Sequence, residues 1–68
     1  MTDIQQRVDE TAFTLMHCPL EDRVRIYRDA FEQTQAQNPG LNIEPAMVTY
    51  VAAVEKRIAE FLQQGGNA

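Results

Sequence analysis

The chain has one cysteine, one histidine and no tryptophan, and these shortages exclude several ways of stabilising a small fold. Cys18 is the only cysteine among 68 residues, so a disulfide within the chain is excluded. His17 and Cys18 are the only soft metal ligands, and two adjacent residues cannot close a four-ligand site. Small folds are otherwise stabilised by oligomerisation. The sequence therefore predicts no metal and no cofactor, and it favours a homodimer.

Basic residues are also scarce. Six Lys and Arg stand against ten Asp and Glu, which gives a net charge of -4. Affinity for nucleic acids and anionic membranes comes largely from Lys and Arg, so we expect neither as a partner. The longest apolar run, 50–54, is too short to span a bilayer, and residues 1–6 lack the features of a signal peptide. With a lone thiol, these features favour a cytoplasmic location.

The apolar residues recur with helical spacing, and no segment alternates with the period of a strand. The sequence predicts an all-α fold, a single domain over 1–68 with a frayed tail at 65–68. Its three amphipathic helices are expected at about 3–16, 19–37 and 43–64. Because the loops are short, consecutive helices should run antiparallel. The predicted architecture is thus an antiparallel helical hairpin or bundle that is completed by dimerisation.

Local signals set the expected helix ends. Thr2 and Gln5 form a capping-box pattern at the start of the first helix. Pro19 disfavours helical angles at the preceding residue and predicts a break there, with a kinked continuous helix as the alternative. The segment 38–40 should end the second helix, Asn42 should cap the third, and the glycines after Gln64 should end it.

The third helix has more apolar surface than one face can hold. Its main face and a second stripe of smaller residues are both predicted to be covered, and in so short a chain one covering surface belongs to another polypeptide. The main face comprises Met47, Val51, Val54, Ile58, Phe61 and Leu62, and the second stripe comprises Val48, Ala52 and Ala59. We predict Val48, Val51, Ala52 and Ala59 at the dimer interface.

The other two helices each have an apolar face and one large apolar residue outside it. The face of the first is Ile4, Val8, Thr11, Ala12 and Leu15, and the face of the second is Leu20, Val24, Tyr27, Phe31 and Thr34. Phe13 and Ile26 lie off these faces, so they are predicted to contact a partner protein. Arg25 is expected beside Ile26, with Tyr27 and Tyr50 at the edge of the interface.

Two groups of residues are candidates for chemistry. His17 and Cys18 resemble a thiolate–imidazole pair, but adjacent residues at a helix break seldom face each other, so we interpret them as a loop histidine and a half-buried thiol. The basic cluster Arg23, Arg25 and Arg28 has acidic residues four positions away, at Glu21, Asp29 and Glu32. These spacings predict self-paired charges on a solvated face. No catalytic residues are expected, and the chain is predicted not to be an enzyme.

In size and composition the chain resembles the small acidic helical proteins that bacteria and their phages use as inhibitors, anti-activators or adaptors of larger proteins. The leading hypothesis is a homodimeric protein-interaction module that binds a larger protein and modulates it by occluding a functional surface. One alternative is a DNA-associated transcriptional regulator that uses Arg23, Arg25 and Arg28. The other is a structural or chaperone subunit of a larger assembly.

Overall fold

The protein folds into three α-helices and no strand over residues 3–66, the part that the computed structural model describes, with side chains described for 3–64. Helix α1 spans Ile4–Leu15, α2 spans Leu20–Gln37 and α3 spans Glu44–Gly66. The predicted all-α class and the number of helices are confirmed.

Helix α1 is capped by Asp3. Its carboxylate oxygen Oδ1 accepts a hydrogen bond from the backbone N–H of Gln5 at 3.0 Å. The capping residue is therefore one position after the predicted Thr2, which lies outside the described residues. A carboxylate at this position both accepts a free backbone N–H and complements the positive end of the helix dipole.

The helix is interrupted before Pro19, so the alternative of one continuous helix with a kink there is wrong. Helix α1 ends at Leu15 and α2 begins at Leu20, while Pro19 is extended, with φ −62° and ψ 157°. The carbonyl oxygen of Pro19 accepts hydrogen bonds from the backbone N–H groups of Asp22 and Arg23, each at 3.1 Å. Pro19 is thus the capping residue of α2 and not its first helical residue.

The connection between α2 and α3 is held by side-chain hydrogen bonds. The Gln35 amide Nε2 donates to the carbonyl oxygens of Asn38 at 3.0 Å and Leu41 at 2.6 Å. Asn42 Oδ1 accepts from the backbone N–H of Glu44 at 3.3 Å, so its side chain binds the first N–H of α3, in part as predicted. The capping position itself belongs to Ile43, whose carbonyl accepts the first helical hydrogen bond, from Met47. The predicted end of α3 at Gln64 is wrong, because the helix continues through the two glycines to Gly66. Glycine lowers helix stability by about 1 kcal/mol but keeps its backbone N–H, so it does not by itself end a helix. Residues 67–68 of the predicted frayed tail lie outside the described residues.

The core lies between α1 and α3. Its five buried residues are Val8, Ala12, Leu15, Val54 and Ile58. The predicted face of α1 is therefore confirmed over three residues, but Ile4 is 70% exposed because it lies beyond this contact. Contacts of α1 reach from Tyr50 to Phe61 on α3, and they bury Val54 and Ile58 of its predicted main face. The prediction is wrong for the rest of that face in the protomer, since Met47 and Val51 are only half-buried and Leu62 is 52% exposed.

Helix α2 has no buried residue. Leu20 and Val24 of its predicted apolar face are 59% and 53% exposed, and only Tyr27 and Phe31 are partly covered. Its contact with α3 is much smaller than that of α1, and the apolar surfaces of the two helices stay apart as an open groove lined by Phe31 and Val51 among others. The radius of gyration is 13.2 Å. A compact chain of this length would have about 11 Å.

Candidate protein-interaction surface

A polar network joins α2 to α3. The Arg23 guanidinium donates from Nε to Glu55 Oε2 at 2.7 Å and from Nη2 to Glu55 Oε1 at 2.8 Å. Its Nη1 donates to the carbonyl oxygen of Cys18 at 2.7 Å, and the Tyr27 hydroxyl donates to Glu55 Oε2 at 2.5 Å. This Arg23–Glu55 network therefore ties the loop before α2, two turns of α2 and the middle of α3 together. Planar two-point pairing of this kind fixes orientation as well as adding energy.

The network shifts the protonation of its members. The hydrogen bonds from Arg23 hold the pKa of the Glu55 carboxyl below its ordinary value of 4.5, against the opposing effect of burial. Partial burial, followed by the bond to the Glu55 carboxylate, raises the pKa of the Tyr27 phenol above its ordinary 10.0. At neutral pH the carboxylate is therefore ionised and the phenol is neutral, which are the states that this geometry requires.

A second cluster, centred on Arg57, joins α1 and α3 at the edge of their contact. Arg57 donates from Nε to Asp9 Oδ1 and from Nη1 to Glu60 Oε1, both at 2.9 Å. Its guanidinium carbon lies 4.4 Å from the ring centroid of Phe61, and that ring meets Phe13 edge-on with centroids 6.4 Å apart. Both bonds of Arg57 lie near solvent, so the cluster orients the side chains more than it stabilises the fold.

An open apolar groove lies between α2 and α3. We call this the α2–α3 groove, and its volume is about 450 Å³. Its lining residues are Tyr27, Arg28, Phe31, Glu44, Met47, Val48, Val51 and Ala52. The lining is apolar apart from the Tyr27 hydroxyl and the charged residues Arg28 and Glu44, and apolar residues beside a few charged ones are found at protein interfaces.

A second and wider groove lies beside the start of α1, with a volume of about 790 Å³. Ile4, Arg7 and Val8 form one wall, Thr34 and Ile43 contribute from α2 and the following loop, and the first half of α3 forms the floor. The side of α3 that faces this groove carries Tyr50, whose hydroxyl forms a hydrogen bond with that of Thr11 at 2.7 Å. Apolar surface is thus open on both sides of the first half of α3.

The predicted dimer-interface residues lie together along α3. Val48, Val51 and Ala52 line the α2–α3 groove, and Ala59 is exposed further along the same stripe. Val48 is 62% exposed, and Ala52 is also classed as exposed. The protomer therefore leaves this second stripe uncovered, as a self-interface requires. Dimerisation itself stays a prediction.

The predicted partner-binding residues do not form one patch. Ile26, at 43% exposure, and the exposed Arg25 are neighbours on the side of α2 away from the groove. Phe13 is 65% exposed but rests against Phe61 at the edge of the α1–α3 contact. Tyr27 and Tyr50 are half-buried and direct their hydroxyl groups to Glu55 and Thr11. The two tyrosines form hydrogen bonds between helices of the protomer, whereas Ile26 and Phe13 expose apolar surface to solvent.

The basic cluster differs from its predicted arrangement. Arg23 is not part of a solvated face, because its side chain is only 13% exposed within the network with Glu55. Arg25 and Arg28 form no ion pair within 4 Å among residues 3–64, so the predicted pairing with Glu21, Asp29 and Glu32 is not formed. Flexible exposed side chains gain little from such pairs, and the helix holds its shape without them.

Sequence reasoning missed Glu55 as an organising residue. It follows Val54 directly on α3, and Arg23 and Tyr27 lie beside or on the apolar face of α2. Opposite charges beside facing apolar stripes were the available signal, but Arg23 and Glu55 are 32 positions apart in the sequence, and local spacing cannot reveal such a pair. His17 is exposed between α1 and α2, and Cys18 is half-buried. The carbonyl oxygen of Cys18 accepts a hydrogen bond from Arg23. Both residues lie in a loop, as predicted.

Comparisons with known proteins identify no relative: no family model, no curated protein and no solved structure matches the chain. Within the described residues, no helix has the length and apolarity needed to cross a membrane. No cluster of three or more His, Cys, Asp or Glu side chains suited to a metal ion occurs in that part of the chain.

Proposed function

We propose that this chain is a small homodimeric protein-interaction module that binds a larger protein and modulates it by occluding a functional surface. Its action needs no catalytic group, because it depends on apolar contact framed by charges. In type it corresponds to the regulators and anti-activators of bacteria and phages, to which its size and acidic composition are similar. A cytoplasmic setting fits the single free thiol.

The observation that carries this proposal is the amount of large apolar surface that the protomer leaves exposed. Helix α2 has no buried residue, and eight large apolar side chains of the described residues are exposed. These are Ile4, Phe13, Leu20, Val24, Ile26, Leu41, Val48 and Leu62. Single exposed apolar residues are ordinary, but contiguous rows beside open grooves are typical of binding surfaces.

The exposed residues separate into two directions. Val48 lines the α2–α3 groove, and Leu20 and Val24 have the helical spacing of Tyr27 and Phe31, which also line it. Ile26 lies off that row of α2. A dimer that uses the groove leaves Ile26 and Arg25 free. An apolar anchor beside an unpaired cation suits an acidic and apolar patch of a partner. This division supports separate self-binding and partner-binding surfaces.

The proposal is tested with an Ile26→Ala variant and a matched Leu41→Ala control. Both changes shorten an exposed apolar side chain, but Leu41 lies in the α2–α3 connection and lines neither groove. The protein captured from the source cell is identified, purified and titrated with each variant by calorimetry, and its own activity is measured alongside. Ile26→Ala should weaken binding roughly 30-fold if Ile26 is an anchor, and inhibition should weaken in parallel. Equal affinity of the two variants would remove Ile26 from the site, and binding without any change in the partner's activity would contradict occlusion.

A further inference from the structure

We propose that a second copy of this chain fills the α2–α3 groove, with Arg28 of each copy paired with Glu44 of the partner subunit. This inference rests on the proposed homodimer and specifies its interface. It assigns one groove, one occupant and one ion pair, none of which follows from dimerisation alone.

The protomer exposes more surface than a compact monomer of its mass would. The accessible surface is 5297 Å². A compact monomer of this mass would expose about 4,300 Å², so the excess is roughly 1,000 Å². A standard protein–protein interface covers about 800 Å² on each partner. The protomer therefore has the surplus area that one self-interface requires.

The groove has the shape expected of half a bundle. Helices α2 and α3 form a hairpin whose inner faces carry Tyr27, Phe31, Met47 and Val51, all only partly covered. Two such hairpins packed face to face form a four-helix bundle, in which each groove receives side chains of the other copy. The small side chain of Ala52 on the groove wall allows the facing backbones to approach closely. The apolar row of α2 continues from the groove to Val24 and Leu20, which extends the surface that the second copy would cover.

The charges at the groove are self-complementary. Arg28 contributes a positive charge from α2 and Glu44 a negative charge from the start of α3. Neither side chain forms an ion pair with another described residue of the protomer. A two-fold axis exchanges the copies, so a contact between Arg28 and the partner subunit's Glu44 occurs twice. An unrelated acidic or basic partner would satisfy only one of the two charges, which is why we favour a second copy.

The test is a charge swap measured by sedimentation equilibrium on the full chain. Arg28→Glu and Glu44→Arg should each weaken dimerisation at least tenfold, because each places like charges together across both copies of the contact. The double variant restores opposite charges and should recover dimerisation to within about threefold of the original chain. Glu10→Arg serves as control, since it makes the same charge change as Glu44→Arg on α1, away from the groove, and should leave dimerisation unaltered. Far-UV circular dichroism confirms that each variant is folded.

The outcomes separate this inference from the proposed function. Dimerisation that resists both single substitutions, or that the double variant fails to recover, would show that the copies meet through another face and would overturn the inference. The homodimer would then stand. A chain that is monomeric before any substitution would overturn both. Weakening by each single variant together with recovery in the double variant supports the groove as the self-interface.

Discussion

Replacing Glu55 by alanine should destabilise this protein more than any other single loss of an acidic side chain. The substitution removes three hydrogen bonds, two from Arg23 and one from Tyr27, and leaves the Arg23 guanidinium without its anion. Hydrogen bonds to a charged group contribute about 1.5–3 kcal/mol each when buried. The Arg23 and Glu55 side chains are 13% and 31% exposed, so water replaces part of this energy. We expect a net loss of about 2 kcal/mol.

That loss is large for a chain of this size. The entropy of unfolding for about 70 residues converts 2 kcal/mol into a fall of roughly 10–15 °C in Tm. The assay is thermal unfolding followed by circular dichroism, at one fixed protein concentration because the proposed dimerisation would make Tm concentration-dependent. Glu32→Ala is the control, since Glu32 is exposed on α2 and forms no ion pair among the described residues.

The Glu55→Ala variant should also differ from the original chain in how its stability depends on pH. Because the pKa of Glu55 is lower in the folded protein, the carboxylate contributes stability above its ordinary 4.5 and loses it as pH falls through the lower folded value. Unfolding curves of the original chain should therefore show an acid-dependent loss that Glu55→Ala lacks. A Tm change no larger than that of Glu32→Ala, with parallel pH profiles, would show that the Arg23–Glu55 network is a solvent-screened pair and does not hold α2 in place.

Three further predictions concern the other surfaces. Ala52→Arg should break the homodimer while the protomer keeps its helical spectrum, because Ala52 is exposed in the protomer; unchanged mass at sedimentation equilibrium would show that this stripe faces water. Phe13→Ala should cost about 1 kcal/mol of stability through its edge-on contact with Phe61, and a larger loss of partner affinity measured by calorimetry; equal affinity would place Phe13 outside the partner site. His17→Ala with Cys18→Ser should keep partner binding within a few-fold, and complete loss with the fold intact would restore a nucleophile or metal role for the pair.

Local sequence signals predict most of the secondary structure. The helix break at Pro19, the end of α2 before Asn38 and the Asn42 cap all depend on residues within one turn of the feature, so a single sequence contains the necessary information. The start of α1 differs from its predicted position by one residue, because Thr2 and Asp3 are both good capping residues and only the geometry selects between them.

The packing of α2 could not be read from its periodicity. The spacing of Leu20, Val24, Tyr27 and Phe31 is the same whether the row faces this chain or another one. The structure shows that α1 packs on α3 around Val54 and Ile58, whereas α2 is held mainly by Arg23, Tyr27 and Glu55. A long-range polar pair of this kind leaves no mark on local periodicity, and the exposure of the α2 row follows only from the arrangement of all three helices.

The mass of the unmodified chain at sedimentation equilibrium tests the central claim most directly. The protomer mass is 7.7 kDa. The exposed row of α2 and the uncovered stripe of α3 predict a concentration-dependent approach to twice that mass across the micromolar range. A stable species at the protomer mass throughout that range would contradict the homodimer, and with it the interpretation of the exposed apolar surface as a self-interface.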